Sequence, residues 1–299
     1  MLLDKKSILL FICLLVCWGS YAAVSRMLLS HLDFYQVSFF TFLIALLILS
    51  IIYLIARPVE HEPKTYTNYF LVFLAGFFCF LYYMCYNRAI AEIGATHASI
   101  LNYTFPLWMI ILAAVRNRKL PKLLSIVSVC VGFIGVYIAL TAGTGRTGLH
   151  LGQARGIALA LSAALLWGMF STIGANLMGN PLRLCLIYTS ICFLLSCLAL
   201  ILFSRPMIPD WPTGLGLVWI GTFAVAIPYW LWFWLIKRNG SDKLAALSYL
   251  VPFSTLIFIS ILLHEKIETG QMIGLVIIIA ACLLQVLKPT GKEMAYKHS

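Results

Sequence analysis

The residues able to do chemistry in this sequence are aromatic or neutral polar, and they sit inside apolar runs. Tyr82 and Tyr86 stand at i, i+4 in one run, with Tyr83 and Asn87 beside them. A later run reads Pro228-Tyr229-Trp230-Leu231-Trp232-Phe233-Trp234. At about 100° per residue, Tyr229, Trp232 and Phe233 share one helical face, and Trp230 and Trp234 share another. Ring faces can stack on an aromatic solute or hold an organic cation. The competing reading is that the rings fill helix packing or mark the bilayer interface. Trp211 beside Asp210, and Trp234 near Lys237, fit the interface. Tyr82, Tyr86, Tyr229 and Phe233 lie deeper in their runs and are the better site candidates.

Asn102 and Tyr103 place polar groups in a further apolar run. A buried amide in lipid needs a partner, either a neighbouring carbonyl or a solute. Pro106 and Pro252 remove backbone donors and are expected to kink their helices. His97 is the histidine closest to a helix interior, where a role in proton coupling competes with an interfacial hydrogen bond. The ten acids, Asp4, Asp33, Glu60, Glu62, Glu92, Asp210, Asp242, Glu265, Glu268 and Glu293, all fall in loops or at the ends of runs. With no carboxylate at mid-membrane for a proton or sodium relay, facilitated diffusion, exchange or coupling through an unusual group is expected. No paired Asp, Ser-His or His-Glu-x-x-His set lies inside an apolar run, which argues against an intramembrane enzyme. The nine cysteines, among them Cys13, Cys79, Cys192 and Cys282, read as small hydrophobes. No metal and no cofactor is expected.

The elements that must hold these residues are transmembrane helices. Of 299 residues 62% are hydrophobic and only 10% charged, where a soluble domain would carry roughly a quarter charged; mean hydropathy is +0.98. Apolar windows lie at about 7–29, 34–56, 67–90, 95–115, 120–141, 152–178, 182–203, 213–236, 242–263 and 270–288. Each suits a helix crossing about 30 Å of hydrocarbon. The first reads as a retained span, not a cleaved signal. The net charge of +11 is spread over short loops and forms no basic stripe, so nucleic acid is not an expected partner. With both termini in the cytoplasm, fifteen Lys and Arg fall inside and six outside: Arg26, Arg88, Arg146, Arg155, Arg205 and Lys266. That bias follows the positive-inside rule.

Two signatures recur. Trp18-Gly19-Ser20-Tyr21 matches Trp167-Gly168-Met169-Phe170, 149 positions on, and Asn102-Tyr103-Thr104-Phe105-Pro106 matches Ser248-Tyr249-Leu250-Val251-Pro252, 146 positions on. Gly94 and Gly240 keep the second offset. The expected fold is therefore an all-α polytopic membrane protein of ten transmembrane helices in two inverted five-helix repeats. The first repeat is expected over 1–141, a linker over 142–151, the second repeat over 152–288 and a cytoplasmic tail over 289–299. Five is odd, so the halves enter the membrane in opposite senses, as in many secondary transporters.

Trp-Gly early in each half, the run from Ala98 to Pro106, Leu247-Ser-Tyr-Leu-Val-Pro252 and the turn His264-Glu265-Lys266 resemble the EamA-type branch of the drug/metabolite transporter superfamily. Arg116-Asn117-Arg118-Lys119 departs from it, lacking the acid that many members carry at that turn. The resemblance implies a multi-pass plasma (inner) membrane protein with both ends cytoplasmic, alternating access, and a central cavity lined by helices one to four and six to nine. The binding candidates on those helices are Trp18, Tyr21, Tyr82, Tyr86, Asn102, Tyr103, Trp167, Tyr229, Trp232, Phe233 and Tyr249. The implied function is transport of a small organic metabolite, an amino acid or related compound, in the export direction. The segment from Asn102 to Pro106 further resembles the aromatic-amino-acid exporters of the group. An importer or exchanger of organic cations or nucleoside-like compounds, and a receptor or scaffold without flux, stay open as alternatives. The expected partners are a small-molecule substrate and the bilayer, with the chain a monomer or homodimer.

Overall fold

The computed structural model describes residues 4–56, 68–117, 123–142, 151–174, 177, 179–239 and 250–286. The described residues fold into helices. They are α1 (Lys5–Leu28), α2 (Phe34–Ala56), α3 (Tyr69–Asn102), α4 (Phe105–Asn117), α5 (Leu123–Thr141), α6 (Leu151–Gly174), α7 (Pro181–Phe203), α8 (Trp211–Trp219), a π-helical segment (Ile220–Ala226), α9 (Ile227–Asn239), α10 (Val251–Leu263) and α11 (Thr269–Val286). Helix starts follow local chemistry. Asp4, Asn68, Asn180 and Asp210 cap α1, α3, α7 and α8 by accepting from backbone N–H groups of the first turn. The Thr213 contact also holds the Asp210 carboxyl below its usual range.

Among the described residues, six helical stretches are long and apolar enough to cross a membrane, and three shorter apolar helices accompany them. The radial distribution is that of a protein solvated by lipid. Leu54, Ile55, Leu194, Ile201, Ile257 and Ile261 are exposed, whereas Asn87, Ser38, Ser99 and Thr104 are buried. In water this arrangement would leave apolar surface wet; in hydrocarbon it satisfies both classes of side chain.

The expected windows differ from the helices in two places. The expected division near residues 91–94 is a kink: Gly94 adopts φ 80° and ψ 165° while helical structure continues on both sides. The helix instead stops at Tyr103 and Thr104, and α4 restarts with Pro106 in its first turn, where a missing N–H costs nothing. Pro252 stands at the same place in α10. The window at 213–236 is divided by seven residues of π-helix between α8 and α9.

Small residues set the crossings. α5 and α11 meet backbone to backbone, and a Cβ on Gly274 would lie 2.5 Å from the Gly135 carbonyl oxygen. Gly19 receives Ser254 of α10, whose hydroxyl donates to the Leu15 carbonyl at 2.7 Å. Gly76 of α3 receives Ile191 of α7, and Gly221 of the π-segment receives Ile44 of α2.

One end of the bundle is tied by polar contacts. Arg26 donates to the Ile90 and Ala91 carbonyls at 3.1 and 3.0 Å. Glu92 pairs with both Arg88 and Arg155, at 2.7 and 2.8 Å. Thr96 donates to Glu265 at 2.6 Å. Arg88 also covers the Phe34 ring, linking this group to the start of α2, where Asp33 accepts from Ser204 and Gln36 donates to the Arg205 carbonyl.

Candidate functional site

The kink at Gly94 and the stop at Tyr103 let α3 present two polar, aromatic faces to the middle of the bundle. Tyr82, Tyr83, Tyr86 and Asn87 lie before the kink, and Ser99 and Asn102 after it. All six are buried. Asn87 is fully enclosed and organises its surroundings. Its Oδ1 accepts from Tyr21 at 2.8 Å and Ser25 at 2.7 Å, and its Nδ2 donates to Ser38 at 3.2 Å. The hydroxyls of Tyr86 and Ser99 are bonded at 2.9 Å across the kink.

Around this lies a continuous aromatic centre. Tyr82 stacks on Tyr86 with centroids 5.6 Å apart and meets Trp167 of α6 at 4.8 Å. Tyr21 of α1 stacks on Tyr86 at 5.9 Å. Trp167 stacks on Tyr229 of α9 at 6.0 Å, and Tyr229 meets Tyr188 of α7 edge-on at 6.3 Å. The Tyr83 and Tyr229 hydroxyls are bonded at 3.0 Å. These partners are 146 positions apart, the offset that separates the recurring sequence signatures.

Among the described residues the centre carries no formal charge. It offers ring faces, phenolic hydroxyls and, beside the engaged Asn87, the Asn102 amide. Asn102 donates from Nδ2 to the Tyr82 hydroxyl at 3.4 Å, while its Oδ1, though buried, has no partner among the described residues. A buried acceptor without a donor is costly, and a bound solute with a donor group would satisfy it.

Of the sequence candidates, Tyr21, Tyr82, Tyr86, Asn102, Trp167 and Tyr229 come together here. Tyr103 is turned toward α10, where its hydroxyl bonds Thr255 at 2.6 Å. Trp18 and Trp232 form a separate edge-to-face pair at 5.5 Å, each half-buried. Tyr229 and Trp232 therefore serve different neighbours despite sharing a helical face; the three-residue step rotates by about 60° and rises 4.5 Å. His97 lies apart from the rings, its Nε2 3.3 Å from Gln271 Nε2 of α11. Tyr249 and the Phe233 side chain lie outside the described residues. Three further members were not candidates from the sequence: Phe42, edge-on to Tyr83 at 5.0 Å, and Phe170 and Tyr188, which meet each other at 5.5 Å. Phe170, one turn beyond Trp167 and 5.3 Å from it, was legible as an i, i+3 neighbour; Tyr188 was not, because only the α6–α7 packing brings it in.

A helical bundle that faces lipid with apolar side chains and encloses a neutral, aromatic, partly unsatisfied centre is built as a membrane transporter is. The EamA-like transporter family model matches residues 5–141 and 154–287, and the chain belongs to that family. It is a multi-pass membrane protein. It is similar to a Salmonella typhimurium (strain LT2) protein named "probable amino-acid metabolite efflux pump", at 26% identity over 95% of this chain and 96% of that one. It is also similar to the aromatic amino acid exporter YddG of Ancylobacter novellus, at 26% identity over 60% of this chain and 63% of that one. A solved crystal structure superimposes with a TM-score of 0.65 at 19% identity, over 94% of this chain and 96% of its own, which shows a shared fold.

Proposed function

We propose that this protein is a secondary transporter that moves an amino acid or a related small metabolite out of the cell by alternating access through the aromatic centre. The observation that carries the reading is the buried, charge-free meeting of Tyr21, Tyr82, Tyr83 and Tyr86 with Trp167 and Tyr229, because it joins residues of the first half of the chain to residues of the second. Rings supply stacking for an aromatic or apolar side chain, and the free Asn102 Oδ1 supplies an acceptor for an ammonium or amide donor. The names of the two relatives favour the same substrate class and direction.

The ten-span, two-repeat organisation belongs to this proposal. The family match falls on two stretches of similar length, and the packing repeats in pairs. Gly76 against Ile191 and Ile44 against Gly221 are equivalent contacts, with the glycines 145 and the isoleucines 147 positions apart. α1 crosses α10 at Gly19, and α6 crosses α4 at Gly168, 149 positions on. The segregation of Arg26, Arg88, Arg155 and Arg205 to one end supports placing that end outside, in the plasma (inner) membrane, with both termini cytoplasmic.

The test is counterflow. Purified protein in liposomes preloaded with unlabelled tryptophan, leucine or choline is offered the labelled form. Saturable exchange of an amino acid is expected. Binding of these solutes without exchange would favour a receptor, and exchange of choline alone would move the substrate to organic cations.

A further inference from the structure

The contacts at the Arg26–Glu92 end include one group that the transport reading does not use. His97 follows Thr96 immediately after the Gly94 kink, and both residues bond the second half of the chain. The roles in the His97–Gln271 contact follow from their neighbours. Gln271 Oε1 accepts from the Glu268 backbone N–H at 2.9 Å, so the other end of that amide is its NH₂ group, which only donates. His97 Nε2 must then accept. In a neutral imidazole the proton then sits on Nδ1. The arrangement suits a neutral imidazole and no other.

We infer that His97 is a proton site whose loading releases the α10–α11 turn from α3 and so unlatches this end of the bundle. A proton on Nε2 sets donor against donor at Gln271. Turning the amide over to offer Oε1 to the ring would instead take the acceptor away from the Glu268 N–H at the start of the turn into α11. The Glu265 carboxylate also acts on the ring, and in the neutral form it is held by Thr96 at 2.6 Å. An imidazolium draws that carboxylate away from Thr96, so one proton weakens both ties between α3 and the turn. Other charged groups at this end are Lys266 and Glu268 of the same turn, Asp33 and Arg205 at the α2–α7 contact, and Glu92, already paired with Arg88 and Arg155. Arg26 is engaged with the Ile90 and Ala91 carbonyls. A histidine in this place couples a proton to opening without any carboxylate inside the membrane.

The experiment is hydrogen exchange on the full chain in nanodiscs at pH 8 and pH 5.5. It follows the peptides covering residues 92–100 and 263–272, with each rate divided by that of the unprotected peptide at the same pH. In the wild type, protection of both should fall about tenfold at pH 5.5, the effect of one lost buried hydrogen bond. His97→Gln keeps an acceptor for Gln271 but cannot be protonated, so its protection should change less than about twofold. Equal protection of the wild type at both pH values, or an equal loss in His97→Gln, overturns the proposal. Should His97→Gln fail to fold, the wild-type midpoint decides. A transition where imidazoles titrate fits the proposal, and one near 4, where carboxylates titrate, overturns it. Counterflow on the same preparations separates this from the transport reading. Loss of protection with no exchange of any solute keeps the proton site and removes the transporter; exchange with unchanged protection does the reverse.

Discussion

Asn87 shows how much a single amide holds in this protein. Three hydroxyls converge on it, from α1 and α2, and none of its surface is exposed. Asn87→Leu keeps the volume but leaves the Tyr21 and Ser25 protons without that acceptor. It should lower stability by about 1–2 kcal/mol, since membrane hydrogen bonds are individually modest, and thermal unfolding in detergent reads it. An unchanged midpoint would mean the hydroxyls find other acceptors. Asn102 is the contrasting case. With Oδ1 unpaired and Nδ2 only loosely held by Tyr82, Asn102→Leu should leave the midpoint equal or raised while weakening solute binding at least tenfold. Sequence alone picked out both amides as polar groups in apolar runs. It did not separate the structural one from the available one, because that depends on which hydroxyls other helices deliver. The same limit explains Tyr103 and Trp18, whose types suited the centre but whose positions face α10 and Trp232.

At the scale of elements, the apolar windows matched most helices closely, since hydrocarbon thickness fixes the length of a span. The details inside the spans were less legible. A π-helical segment needs shifted i→i+5 hydrogen bonds and has no residue signature, and Ile220–Ala226 reads as any apolar stretch. The stop at Tyr103–Thr104 was legible through Pro106, and the kink at Gly94 only as a possible boundary. The crossings make a sharper test. A Cβ at Gly19 would lie 2.9 Å from the Ser254 Cβ, whereas the nearest atom to one at Gly168 is the Met109 Cγ at 3.4 Å. Gly19→Ala should therefore cost about 1–3 kcal/mol through overpacking, while Gly168→Ala, at the matching place in the other half, should be neutral. Gly274→Ala should be at least as damaging as Gly19→Ala, because its neighbour is backbone, which cannot rotate away. Equal melting temperatures for all three variants would show that these crossings relax freely.

For the whole molecule, the central relation is between the middle and the end. The two halves share the aromatic centre, where Tyr83 meets Tyr229, and are tied at one end through Thr96–Glu265 and His97–Gln271. In the alternating-access reading proposed above, the Tyr83–Tyr229 contact would persist as the halves rock, whereas the end contacts would break to admit a solute. Composition made the membrane reading legible. The Thr96–Glu265 and His97–Gln271 ties were not, because each joins residues more than 160 positions apart, and no local pattern announces them. Passage through the aromatic centre is tested most directly by counterflow of labelled amino acid by Tyr82→Ala and Tyr229→Ala, compared with wild type of equal yield and monodispersity. Both variants should fold and lose at least tenfold in apparent affinity. Wild-type exchange kinetics in both would show that the solute does not cross through the aromatic centre.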